Sequence, residues 1–356
     1  MLGNTAATDP ALPALSPPPS CVDAASGLPD KASPFCRARP VRVLPNGESG
    51  DGAACELAPE QCGSVAEVAA WLLGAMGETA AAQLEAQAWG PRSGPDGSPV
   101  WRVYAANGEL VVSWPCVVAA ADAAEDGRPA ALYLVPEGRL FVWPSNAPGT
   151  TTAVPGCVEG REASAPPVVL ENLHSSPRIF RVRNFLSSAE SDAMIDEALS
   201  LTDDMYKLQR SGTGHVPRSS DKKTSTFAPT WTSENAFVSS SPLAARIKRR
   251  AFELLRIGDF DMLQGDGIQV LRYQPGQAYI QHTDYFPVKQ AEDWNWDAAR
   301  NGSNRFATVF LYLSDVEHGG QVAWPGTQPH NRKSANPHAP QSFRRLAVAG
   351  CFCASV

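Results

Sequence analysis

Proline and glycine occupy 59 of the 356 positions, 31 and 28 respectively. Proline removes a backbone donor and glycine resists ordering, so a chain punctuated this often folds as short strands and helices joined by turns. The first 60 residues carry 15 of the 59 with no sustained apolar period, and residues 1–60 are therefore predicted to be a disordered leader. No apolar run approaches the roughly 20 residues of a bilayer span, so no membrane span is expected. MLGNTAATDPALPALSPPP lacks a basic start and an apolar core, and no secretory signal is read there.

Hydrophobic residues make up 43% and charged residues 19%, enough for a core and unlike a wholly disordered chain. A net charge of -7 gives no general attraction to phosphate backbones, so nucleic acid is not an expected partner. The eight cysteines, at 21, 36, 55, 62, 116, 157, 351 and 353, form no C-x-x-C pair and no zinc-type spacing. They name no metal site, and free thiols and disulfides both stay open.

Organisation follows from the breaks. Ser64 and Glu67 read as a capping box, with Val65, Val68, Leu72 and Met76 at helical spacing toward Ala88. VWRVYAANGELVVSWP around Asn107-Gly108 and ALYLVPEGRLFVWP around Pro136-Glu137-Gly138 read as two hairpins. Residues 62–145 are thus predicted as a small α+β domain, and 146–167 as a linker. From 168 to 356 a second domain is expected. PRIFRVRNF (177–185) reads as a strand, and Ser187 to Glu190 cap a helix presenting Met194, Ile195, Ala198 and Leu199. Gly212 to Asn235 reads as a polar loop. Ser241-Pro242 opens a second helix with Leu243, Ile247, Ala251 and Leu255 inward. GIQVLRY (267–273), QAYIQHTDYF (277–286) and RFATVFLYLSD (305–315) read as strands. Helices followed by short strands predict an α+β fold with a jelly-roll-like β-layer.

Chemistry concentrates in the middle strand. Side chains alternate along a strand, so His282 and Asp284 share a face and converge, while Tyr279 lies opposite. An imidazole and a carboxylate two residues apart can fill two vertices of an octahedral metal, and a distant third ligand would complete the facial triad of non-haem Fe(II) oxygenases. H-x-D alone is a weak signal, since 6 His and 19 Asp predict about 0.3 occurrences per chain by chance.

The surrounding residues sharpen it. LRYQPGQAYIQHTDYF (271–286), NRFATVFLYLSDVEHGGQVAWP (304–325) and PRIFRVRNFLSSAESDAMI (177–195) resemble the prolyl 4-hydroxylase family of Fe(II)- and 2-oxoglutarate-dependent dioxygenases. The resemblance covers about 170 to 348. It implies a double-stranded β-helix (jelly roll) catalytic domain with flanking helices. His282 and Asp284 would be iron ligands, Tyr273 and Thr308 would line the 2-oxoglutarate pocket, and Tyr279 would lie near the substrate proline. Gly319-Gly320 matches a family turn. The implied cofactors are Fe(II), 2-oxoglutarate, O2 and ascorbate, the implied reaction is hydroxylation of prolyl C4 in a peptide, and the implied compartment is the endoplasmic reticulum. The 212–235 loop, with Lys222, Lys223 and Thr224, sits where the family covers its substrate, although Trp231 stands where an Arg often precedes Thr-Ser.

The family's late His and its basic partner for 2-oxoglutarate have no match: no His follows 338, and no Lys or Arg follows Arg345. The catalytic domain is therefore expected to be incomplete at its C-terminal end. Three alternatives stay open. His330 or His338, with Lys333, Arg344 or Arg345, substitutes; the chain is a non-catalytic binding protein on the same β-scaffold; or its C-terminal sequence is truncated or altered relative to a functional parent.

Overall fold

A computed structural model describes residues 39–57, 65–86, 92–94, 97–112, 120, 128–157, 161–210, 233–239, 241–258, 265–279, 282–285, 305–315, 320–322 and 348–355, the last as backbone. The Ser64 cap, Ile280, Gln281, Gly319, most of the 212–235 loop, and His330, Lys333, His338, Arg344 and Arg345 lie outside the described residues. The chain divides into two units, 1–146 with 152–156 and 147–151 with 157–356. Among the described residues no helix is long and apolar enough to cross a membrane.

The first unit contains β1 (Arg39–Pro45), β2 (Ala53–Leu57), α1 (Val65–Ala75), α2 (Glu78–Glu85), β3 (Trp101–Ala105) and β4 (Ala130–Pro136). Its sheet runs β2-β1-β4-β3, with β1 and β4 parallel. β4 has a partner on either side and is buried along its whole length, which explains its near-continuous apolar sequence. Val68, Ala69 and Leu72 of α1 join Val41, Val43, Val103, Leu132 and Leu134 in one core cluster.

Three expectations are corrected here. Residues 39–57, inside the predicted leader, form β1 and β2, because Val41 and Val43 alternate inward and are fully buried. The β1–β2 connection needs Gly52: its φ is 63°, and a Cβ there would come 2.5 Å from the Val43 carbonyl. The expected single helix breaks at Gly77, φ 83°, into α1 and α2. Only the first expected hairpin leaves a trace, the bridge Tyr104↔Leu110. After Glu137-Gly138 the chain forms no second strand, and β4 pairs with β1 and β3 instead.

The predicted linker also carries structure, with β5 at Thr151–Val154 and a fully buried Cys157. Its glycines and prolines mark turns between ordered residues rather than a spacer.

The second unit opens with the antiparallel pair β6 (Val168–Ser175) and β7 (Arg178–Arg183). Helix α3 (Ser188–Ser200) starts with the expected capping box: the Ser187 hydroxyl accepts from the Glu190 N–H, and the Glu190 carboxylate accepts from the Ser187 N–H. Met194 and Ala198 are buried, whereas Leu199 is exposed, contrary to expectation. Helix α4 (Pro242–Leu255) is capped by Ser241 with Pro242 in its first turn, and it buries Leu243, Ile247 and Ala251. Strands β8 (Gln209–Arg210), β9 (Glu234–Val238), β10 (Ile268–Arg272), β11 (Arg305–Tyr312) and β12 (Val348–Ser355) form an antiparallel sheet in the order β11-β12-β10-β9-β8. This mixed α+β arrangement is compatible with a jelly-roll-type β-domain.

Two buried cations fix the framework around α4. Arg250, wholly buried, donates to the Phe185 carbonyl at 2.6 Å and to both Glu190 oxygens at 2.7 and 3.1 Å. Lys248 donates to the Gly265 carbonyl at 3.4 Å, just ahead of β10.

Candidate metal and cosubstrate site

β10 leads into the site through a tight turn. Pro275-Gly276 occupies its centre, with φ 81° at Gly276, the value that the third residue of a type II turn requires. Gln277 closes it, its N–H donating to the Gln274 carbonyl and its side chain accepting from the Gln274 N–H. From there to Tyr285 the described residues belong to no strand, which corrects the expected strand over 277–286.

His282 and Asp284 nonetheless converge, with Nε2 and Oδ1 3.2 Å apart. Two adjacent vertices of an octahedral ion with bonds of ~2.1 Å lie ~3 Å apart, so the pair fits two ligands of one metal. Asp284 is held from both sides. Thr308 of β11 donates to Oδ2 at 2.6 Å, which leaves Oδ1 toward the imidazole. Arg305 donates through Nη1 to the Asp284 carbonyl at 3.4 Å, stands 4.0 Å from Oδ1, and reaches Asp266 through Nη2 at 2.9 Å.

The aromatic residues line up behind this pair. The Tyr279 and His282 rings are 4.5 Å apart at 58°, so Tyr279 is beside the imidazole rather than across a strand from it. Tyr273 hydrogen-bonds with the wholly buried Ser233. Burial pushes its phenol up to about 12, against the lowering effect of Ser233 and with a smaller raising effect from Tyr279. Ser233, Tyr273, Tyr279, His282, Asp284 and Thr308 thus form one run of neighbouring groups.

Sequence reading missed Arg305, Asp266 and Ser233. Arg305 and Thr308 are three apart and point oppositely in a regular strand. The ladder to β12 slips between Arg305 and Ala307, and this bulge turns both side chains toward Asp284. Asp266 carried no motif.

Among the described residues no third His, Cys, Asp or Glu joins the pair in a metal-holding group. β12 lies between β10 and β11, reads VAGCFCAS, and places Cys353 opposite Thr308 in register. An open cleft of about 570 Å³, lined by Arg210, Glu234, Arg272 and Gln274 to Gln277, lies at the neighbouring end of β8–β10 and contains none of His282, Asp284 or Thr308.

No family model matches the chain. Curated proteins do. It is 32% identical over 173 residues to "Prolyl 4-hydroxylase 2" of Arabidopsis thaliana, covering 47% of this chain and 50% of that protein. It is 33% identical over 162 residues to "Probable prolyl 4-hydroxylase 3" (44% and 48%) and 45% identical over 76 residues to "Probable prolyl 4-hydroxylase 10" (20% and 24%), both of the same plant. Over about half of its length the chain is similar to curated prolyl 4-hydroxylases. The chain spans about half the length of the curated relatives it matches over their longer alignments.

Proposed function

We propose that the second unit is a double-stranded β-helix domain of an Fe(II)- and 2-oxoglutarate-dependent dioxygenase that hydroxylates C4 of proline in a peptide or protein. The observation that carries this reading is the 3.2 Å approach of His282 Nε2 to Asp284 Oδ1 within a prolyl 4-hydroxylase relative. A neutral imidazole and a carboxylate form a donor set suited to a ferrous ion. When bound there, Fe(II) with 2-oxoglutarate and O2 supplies the oxidising chemistry, and ascorbate serves as reductant.

The chain's own residues bind and orient. His282 offers Nε2 and Asp284 offers Oδ1, while the Thr308 hydroxyl fixes Oδ2 and so sets the carboxylate's rotation. Tyr273, whose pKa burial pushes up to about 12, is protonated at physiological pH as an ordinary tyrosine is. Its O–H is then a permanent donor for a carboxylate oxygen of 2-oxoglutarate. Tyr279 packs its ring on the imidazole, restricting His282 and offering an aromatic edge to a substrate pyrrolidine.

A second reading is favoured by one observation, the lack of a third metal-binding side chain among the described residues. On that reading the same scaffold binds its partner without turnover. Anaerobic titration with Fe(II) and 2-oxoglutarate separates the two. The oxygenase reading expects a visible metal-to-ligand charge-transfer band that His282→Ala removes and, once O2 is admitted, succinate release with one-oxygen mass gain on Pro-rich peptides. Absence of both leaves the binding protein.

A further inference from the structure

Arg305 stands between two carboxylates and serves them unequally. Nη2 bonds directly to Asp266 at 2.9 Å, whereas Nη1 is 4.0 Å from Asp284 Oδ1 and donates instead to the Asp284 carbonyl. Guanidinium–carboxylate pairs elsewhere in this unit close fully: Arg250–Glu190 and Arg272–Glu234 are each 2.7 Å. Asp284 is therefore an ion-pair partner that Arg305 reaches but does not close on. An arginine fork laid on a carboxylate uses the lone pairs that a metal needs, so this spacing keeps Oδ1 available beside His282.

We propose that Asp266 is a positioning residue for the metal site, holding Arg305 by its charge so that the guanidinium steadies the Asp284 backbone and stays off its carboxylate. This rests on the reading of His282 and Asp284 as metal ligands. Asp266 is itself well placed for the task. It follows Gly265, whose carbonyl takes the buried Lys248, and it leads into β10. Among the described residues, the charged and titratable groups shown around this spot include Lys248, Arg305, His282 and Asp284.

With Asp266→Asn the anchor loses its charge, and among the described residues the nearby carboxylate that Arg305 is shown to face is Asp284. Arg305 then closes on that carboxylate and competes with metal. Mn(II) affinity of the full chain, followed by the loss of free-ion paramagnetic signal, is expected to fall about tenfold or more, the scale typical of outer-shell partners. Asp266→Asn/Arg305→Gln is expected to recover most of the loss, because the competitor is gone. A purely structural role for Asp266 gives the opposite order, with the double variant no better than the single.

A metal-free measurement accompanies it. The coupling between Arg305→Gln and Asp284→Asn in the thermal midpoint is expected to be small in the native background and larger with Asp266→Asn. An unchanged Mn(II) affinity in Asp266→Asn, no recovery in the double variant, or equal couplings would each overturn the proposal. If Mn(II) binds neither the native chain nor His282→Ala, or binds both equally, the metal reading falls, and the coupling alone still decides whether Asp266 restrains Arg305.

Discussion

Arg250→Met is the perturbation whose cost the structure lets one work out. Arg250 is wholly buried and ties three pieces of chain together: α4 by its own backbone, the Phe185 carbonyl, and Glu190 in the first turn of α3. Its guanidinium also stands 5.7 Å from the Phe185 ring centre. Removing it strands a Glu190 carboxylate that is mostly shielded from water. Breaking one side of a buried pair costs about 3–5 kcal/mol, a large part of the ~5–15 kcal/mol that holds an ordinary domain. Glu190→Gln is expected to cost a similar amount, since it removes the carboxylate charge that pairs with the buried Arg250. Gln still closes the capping box, so the loss is not confounded by α3. Glu190→Gln/Arg250→Met leaves no stranded charge and is expected to cost less than either single change.

Urea unfolding of the full chain measures this, with the midpoint falling at constant slope. Acid gives the same information by another route. Burial alone would raise the Glu190 pKa, but the Arg250 hydrogen bonds, the Ser187 N–H and the guanidinium's charge hold it below the ordinary carboxylate range. A carboxyl depressed in the folded state contributes its stabilisation above the unfolded value of ~4.3 and loses it as pH falls through the lower folded value. The native chain should weaken across that acid window, and the Gln variant should show a flatter profile. A cost below ~1 kcal/mol for Arg250→Met, or a double variant costing the sum of the singles, would refute the reasoning.

Other expectations follow from single contacts. Thr308→Val removes the donor to Asp284 Oδ2 and should weaken Mn(II) binding about tenfold, with Thr308→Ser close to native; metal titration checks both. Tyr273 should remain protonated where ordinary tyrosines ionise near pH 10, its phenolate appearing only toward about 12; ultraviolet titration of the native chain against Tyr273→Phe reads this directly. Leu132→Ala, at a fully buried position of β4, should cost about 2–5 kcal/mol in denaturant unfolding.

What could be read without coordinates was whatever rests on local periodicity and caps. The α3 capping box, the Ser241-Pro242 start of α4, and the strands within 177–185, 267–273 and 305–315 all carry their cause within a few residues. Strands β1 and β2 were hidden because a Pro- and Gly-rich composition outweighed the short Val41-Val43 alternation, and only the nonlocal parallel pairing with β4 makes that alternation worthwhile. β6, reading VVLENLHS, was hidden because a charged Glu171 sits within it; Arg181 and Arg183 of β7 neutralise that carboxylate. At the site, His282 and Asp284 converge as expected although the strand invoked to bring them together is not formed. Tyr279 shows the consequence, standing beside the imidazole instead of across a sheet from it.

The bulge in β11 supplies a test of how the site is assembled. Between Arg305 and Ala307 the chain advances two residues while β12 advances one, so Phe306 is the extra residue. It is 40% exposed, and its ring contributes little to the core. With the bulge, Arg305 and Thr308 reach the same carboxylate from three residues apart. Without Phe306 they would be two apart in a regular ladder, and strict alternation would again place them on one face. Deleting Phe306 is therefore expected to preserve Mn(II) binding to within a few-fold, whereas inserting one Ala after Arg305, with the bulge at Phe306 kept, should turn the guanidinium away and uncouple it from Asp284. Native-like circular dichroism in both variants establishes that the sheet persists. Loss of metal in the deletion with the fold intact would show that the bulge shapes the site through something other than side-chain direction.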